Sequence, residues 1–264
     1  METLKTSAVG GFGRFGRPLA LGLTLLVLAT APFFWGIVVG IVNGDPRVWW
    51  GVDLQIVLEI GRRWLETGTM YLPYQLAGPY SIDATPVLST TPALYPPAAG
   101  PVFGLLNFIP GPVLTVAWWL VPLGIIGYAF AQWRPAAWTW PILSACLVYP
   151  QSLMTLAVGG TSLWMAAFVA GGLLKGWPAA LILLKPTLAP FALVGVRDRR
   201  WWAVALAIGV LTLTGPWQDY LRVAANASDS GNGLLYSIKS LPLVALPLVA
   251  WLGRDAGLRR RWRT

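Results

Sequence analysis

Few residues in this sequence can do chemistry, because histidine is absent and Cys146 is the single cysteine. That removes imidazole acid–base chemistry, the commonest metal ligand and any intrachain disulfide. Carboxylates, lysines, arginines, tyrosines and amides remain, and Asp53 stands first among them. In "GVDLQIVLEIGRRWLETGTMY", from Gly51 to Tyr71, a winding of about 100° per residue gathers Gln55, Glu59, Arg62 and Glu66 into one polar stripe. Asp53 falls on the opposite side, among Val57, Ile60 and Trp64. A carboxylate there has two readings. It caps a helix that starts at Leu54 and ends at Gly68, or it faces a site at the membrane–water boundary. Ile56 supplies no capping box for the first reading. In the second, partial desolvation raises the carboxyl pKa and suits it to act as general base on a sugar hydroxyl.

Lys185 is the second candidate. It sits near the middle of the apolar run "WPAALILLKPTLAPFALVGV" and is followed by Pro186, which frees backbone groups beside it. An ionisable side chain at that depth marks a site and pairs with an anion. The competing reading splits the run into two short re-entrant pieces from which the lysine snorkels. Tyr95, in "LYPP", reads as an interfacial tyrosine before a helix-starting proline pair. The tryptophan pairs Trp49–Trp50, Trp118–Trp119 and Trp201–Trp202 read as interfacial anchors. Trp49 and Trp50 lie close to Asp53, where indole faces also stack on sugars and pack polyprenyl chains. Asp219 and Asp229 read as solvated loop acids, and Asn226 opens an "NAS" sequon.

The elements that must position these residues are membrane helices. Of 264 residues 56% are hydrophobic and 11% charged, with sixteen Trp, and several apolar runs approach the ~20 residues that cross a bilayer. The expected fold is an all-α polytopic membrane protein with about eight transmembrane helices, some short or broken. Residues 1–17 form a cytoplasmic basic arm, 18–253 a single transmembrane domain and 254–264 a cytoplasmic basic tail. Within the domain, 43–91 is an extracytoplasmic loop bearing the amphipathic helix, and 216–233 is a second extracytoplasmic loop. The run from about Leu19 to Val42 is too long for a signal-peptide core and is read as a retained first span.

Charge agrees with that count. The net charge of +9 concentrates at the termini and in "RDRR", Arg197 to Arg200, which marks cytoplasmic ends and not a nucleic-acid surface. Eleven basic residues then face the cytoplasm, while Asp45, Asp53, Glu59, Glu66, Asp83, Asp219 and Asp229 lie outside. Prolines 122, 141, 178, 186, 190, 242 and 247 predict broken helices around a cavity. No internal repeat supports a transporter of inverted halves. No Walker A, HExxH, GxSxG or dinucleotide fingerprint is present, and "GGFGRFG" near the start reads as a flexible basic arm.

Taken in order, a first span, "VDLQIVLEIGRRWLETGTMY", "LYPP", a Gly-Gly-Thr-Ser element and "LLKPTLAPFALVGVRDRRWW" resemble the GT-C type membrane glycosyltransferases that use polyprenol-phosphate sugars. The resemblance is to the bacterial alpha-mannosyltransferase-like group in particular, over roughly residues 18 to 220. It implies a lipid-linked monosaccharide donor, chemistry on the extracytoplasmic side and a catalytic carboxylate in the first outer loop, which maps to Asp53. The family's Lys-Pro lysine maps to Lys185. The sequence departs from the group in its short length, in lacking the C-terminal spans, and in having Gly160-Thr161 where Gly-Gln or Gly-Asn is common. Those departures also fit a truncated or inactive member.

The resulting expectation is a hexosyltransferase of the cell membrane with both termini cytoplasmic. Asp53 takes the acceptor proton, and Lys185, with Arg62 or Arg63 as outer candidates, holds the leaving phosphate. Tyr95, Trp49 and Trp50 shape the lipid and sugar pocket. No metal and no cofactor beyond the lipid-linked sugar phosphate is expected, and the acceptor is a lipid or glycan. The rival is a non-catalytic lipid-phosphate-binding protein or a small transporter.

Overall fold

A computed structural model of the chain describes residues 7–41, 50–80, 92–229 and 234–254. Helix dominates, and there is no strand among the described residues. Among the described residues two helical stretches are long and apolar enough to cross a membrane: Gly16–Val39, made of α1 (Ser7–Ala29) and α2 (Ala31–Ile41), and α6 (Gly111–Trp133). The pair α7 (Trp140–Val148) and α8 (Pro150–Val158), bent by 61° at Tyr149, has the length and composition of a third when counted as one span. Helix α1 begins at Ser7, so residues 7–17 of the expected basic arm are helical. The tail from residue 255 lies outside the described residues.

Between the first apolar stretch and α6 lie α3 (Val52–Thr67) and the short α4 (Pro73–Ala77). The polar stripe of α3 is as its periodicity requires. Gln55, Arg62 and Glu66 are exposed, while Val57 and Ile60 are buried. Gly68 ends the helix in the left-handed region, its N–H bonded to the Trp64 carbonyl.

The apolar run "ALYPPAAGPVFGLLNFI", the second of the eight expected spans, differs from expectation. Only Ala99–Leu106 is helical there (α5), about 12 Å at 1.5 Å per residue, too short to cross. It lies antiparallel against α3: Gly61 meets the Phe103 carbonyl, Gly100 meets the Trp64 ring, and Asn107 donates to the Leu58 carbonyl at 3.1 Å.

Helix α9 (Thr161–Lys175) is central, between α6, α12 (Leu241–Leu252) and the segment that follows it. It is buried on most sides, and Ala166, Ala167, Ala170 and Gly172 let neighbours come close. Gly172, for instance, lies against Ala179.

The sixth apolar run does not pass straight through. It forms two 3-10 segments, Trp177–Leu184 and Pro186–Gly195, which pack on each other and meet at Lys185. Gly195 touches the Gly176 carbonyl, so the run leaves where it entered. Helices α10 (Arg199–Thr214) and α11 (Trp217–Asp229) follow, then a 3-10 turn, Leu234–Ser240, that leads into α12.

The prolines mostly start elements. Pro141, Pro178, Pro186 and Pro242 occupy first turns, where a missing N–H has no cost, and Pro122 and Pro247 sit inside unbroken helices. The breaks fall at Tyr149, before Pro150, at Gly159–Gly160, and at Lys185, before Pro186, so of the seven prolines singled out Pro186 alone marks a break between segments.

Candidate functional site

Asp53 is the second residue of α3. The cap is Gly51, at φ 74°, and no side chain bonds the free N–H groups there, so the reading of Asp53 as N-cap fails. The chain is held at this point by the end of α8. Gly51 N–H donates to Ala157 O at 3.1 Å, Trp118 Nε1–H to Gly159 O at 2.7 Å and Trp119 Nε1–H to Leu156 O at 2.7 Å. Three donors thus satisfy carbonyls that a helix C-terminus leaves open. Trp118 and Trp119 are structural donors here and not free interfacial anchors.

That clamp points Asp53 at the α8–α9 break. A β-carbon on Gly160 would lie 3.1 Å from Asp53 Oδ2, so the carboxylate sits at the N-terminus of α9, the positive end of its dipole. The residue is half-buried, and protein closes round the carboxyl group. Desolvation pushes its pKa from 3.8 up to about 6, opposed by attraction to the Lys185 ammonium. No hydrogen bond or direct ion pair links the two side chains.

Lys185 is buried at the junction of the two 3-10 segments. Its Nζ donates to Thr161 Oγ1 at 3.3 Å and to Ser162 Oγ at 3.0 Å. The Thr161 hydroxyl also bonds Tyr95 OH, at 2.9 Å. The first turn of α9 is therefore shared: Gly160 meets Asp53, and the next two residues carry Lys185 and Tyr95. Tyr95 is fixed from behind by the Tyr71 hydroxyl on its carbonyl at 2.8 Å and by its ring edge-on to Phe103, 4.9 Å between centroids. Beside it lies an apolar cavity of about 150 Å³, lined by Tyr95, Phe103, Trp118, Thr161, Trp164 and Leu184.

The arginines do not join this cluster. Arg62 is exposed on the polar stripe, paired with Glu59 at 2.8 Å and Glu66 at 2.7 Å. Nine residues from Asp53, at 100° each, put it on the opposite face. Arg63 donates to Met70 O at 3.1 Å, about 15 Å along the helix from Asp53. Trp50 does come near. It stacks on Trp119 with centroids 5.5 Å apart and planes 5° from parallel, and stays 57% exposed. Trp49 lies outside the described residues. Asn226 is not a free sequon: its Nδ2 donates to Gln75 O at 2.7 Å.

Thr161 and Ser162 were not singled out as site residues from sequence, although the Gly-Gly-Thr-Ser element contains them. The usable signal was two adjacent glycines followed by two hydroxyls inside an apolar run. Among the described residues no three His, Cys, Asp or Glu side chains converge to hold a metal ion. An acid, an ammonium, two hydroxyls and an apolar hollow around one helix terminus can move a proton and hold an anion with an apolar tail. No protein-family model, curated protein or solved structure matches this chain.

Proposed function

We propose that this chain is a membrane glycosyltransferase that moves a hexose, mannose-like, from a polyprenyl-phosphate sugar to a lipid or glycan acceptor on the extracytoplasmic side. The observation that carries the reading is the convergence of Asp53 and Lys185 on the first turn of α9. Asp53 takes the proton of an acceptor hydroxyl, and the oxygen attacks the anomeric carbon. A glycosidic C–O bond forms as the bond from that carbon to the phosphate oxygen breaks. The electron pair leaves on the phosphate, whose charge is held by Lys185 and the hydroxyls of Thr161 and Ser162. The apolar hollow beside Tyr95 receives the first part of the lipid chain. Trp50, exposed next to Asp53, offers a flat face to a sugar ring.

In this reading the membrane holds eight apolar runs, of which six cross. These are Gly16–Val39, α6, the α7–α8 pair, α9, α10 and 234–252. The two others, α5 and the 3-10 hairpin, enter and return. Both termini stay cytoplasmic and α3 stays outside, as the charge distribution favours.

The test is transfer of radiolabelled hexose from polyprenyl phosphate by membranes containing the protein. Asp53→Asn should abolish transfer while the protein still folds, and Lys185→Met should reduce it at least 100-fold. Full activity in Asp53→Asn would end the proposal. Binding of polyprenyl phosphate with no transfer would leave the rival reading, a lipid-phosphate-binding membrane protein.

A further inference from the structure

Lys185 reaches the α9 terminus at the tip of a hairpin whose two feet are sewn together at the far end. Asp198 does most of the stitching. Its Oδ2 accepts the Trp177 N–H at 3.0 Å, where the inbound segment starts, and its Oδ1 accepts the Arg200 N–H at 3.0 Å, capping α10. The Asp198 side chain lies against Gly176, held at φ 79°, and Gly195 packs on the Gly176 carbonyl so closely that only a residue without a β-carbon fits. The outbound segment is tied as well. Trp201 Nε1–H donates to Ala192 O at 2.8 Å and Trp202 Nε1–H to Val196 O at 3.0 Å.

We propose that Asp198 is a positioning residue for Lys185, latching both feet of a re-entrant hairpin at the cytoplasmic face so that the ammonium stands at the height of Thr161 and Ser162. It rests on the reading of Lys185 as the group that holds lipid phosphate. A 3-10 segment of eight residues spans about 16 Å at 2.0 Å per residue. A tilt of about 5° at the base therefore moves the tip by roughly 1.4 Å. Misplacement of about 1 Å is enough to disable a site.

Two measurements test it, both on the full-length protein. In a Cys146→Ser background, Lys175→Cys and Arg197→Cys flank the hairpin on exposed positions. An impermeant maleimide should label both from the cytoplasmic face. Labelling from opposite faces would mean the segment crosses and would overturn the proposal. The second is binding of polyprenyl monophosphate by purified protein. Asp198→Ala should weaken it about 10-fold and Asp198→Asn, which keeps one acceptor oxygen, by less. Asp198→Ala added to Lys185→Met should weaken it no further than Lys185→Met alone. Wild-type binding in both Asp198 variants, or a further 10-fold loss in the double variant, would overturn the positioning role. If Asp198→Ala fails to fold, Asp198→Asn with and without Lys185→Met gives the same comparison. Equal binding by wild type and Lys185→Met would overturn the phosphate reading and this proposal together, and the labelling result would still report on the hairpin.

Discussion

Asp53 is held in a place that does not suit its charge, and that has a measurable signature. Its folded pKa of about 6 exceeds the ordinary 3.8, so the folded state binds the proton more tightly than the unfolded chain does. The stability this contributes is complete below pH 3.8, declines as pH rises towards 6 and is absent above. The whole displacement is worth about 3 kcal/mol. Asp53→Asn should therefore raise the thermal midpoint at pH 7.5 and flatten its dependence on pH between 4 and 6, read by unfolding in detergent. The proposed mechanism uses the ionised carboxylate, so the wild-type transfer rate should climb through about pH 6 and level off above it. A stabilised but inactive Asp53→Asn is what a site residue gives, whereas a residue with only a structural role would be destabilised by loss of its contacts. Gly160 bears on the same carboxylate. A β-carbon there falls 2.9 Å from Thr155 Cγ2 and 3.1 Å from Asp53 Oδ2, so Gly160→Ala must push one of them aside. Transfer in that variant should fall about 100-fold, and expression and folding should change little.

At the scale of elements, the packing of α4 beside the site depends on one buried amide. Gln75, on α4, has no exposed surface; its Oε1 accepts from Leu72 N at 3.0 Å and Ala93 N at 3.3 Å, and its Nε2 donates to Ala93 O at 3.0 Å. It joins α4 to the stretch that carries Tyr95, while Asn226 ties α11 to the Gln75 carbonyl. Gln75→Ala orphans buried backbone groups and should cost at least about 2 kcal/mol, seen as a lower thermal midpoint and faster proteolysis of the outer loop. Nothing in the sequence pointed to Gln75, because a glutamine in a polar loop carries no period and no motif. What could be read was whatever had a period. The two-faced pattern of α3 placed Arg62 outward and Asp53 inward, and the depth of Lys185 within its run singled it out. Hydrophobicity gave the number of apolar runs and could not tell crossing from returning. Whether "WPAALILLKPTLAPFALVG" passes through or doubles back is decided by Asp198, Gly176 and Gly195 meeting across nearly twenty residues, and such contacts leave no local trace.

On the scale of the molecule, the contacts sort element ends into two groups, and that ordering changes the count of crossings. The end of α6 meets the end of α12: Ala136 N–H donates to Gly253 O at 2.8 Å, and Pro135 pairs with Arg254. Near its start α6 bonds the end of α8 through Trp118, close to Asp53. Helix α6 therefore runs from the Asp53 end to the Arg254 end, and α5, lying along α3, stays at the Asp53 end. Gly215, where α10 finishes, touches Pro97 at that same end. In the proposed arrangement α5 and the hairpin both return, so it has two crossings fewer than the sequence suggests and keeps the termini on one side. The proposed arrangement would place Arg134 and Lys175 with the eleven basic residues it assigns to the cytoplasm, a better fit to the charge rule than eight crossings give. The two counts disagree most sharply around α6. Eight crossings put the Pro110–Gly111 turn inside and the far end of the helix outside; six reverse both. In a Cys146→Ser background, Gly111→Cys should react with an impermeant maleimide from the outer face and Gln132→Cys only after the cytoplasmic face is opened. The reverse pattern would restore the eight-crossing arrangement and would put the start of α6 on the side opposite Asp53, which its Trp118 bond to the end of α8 does not allow.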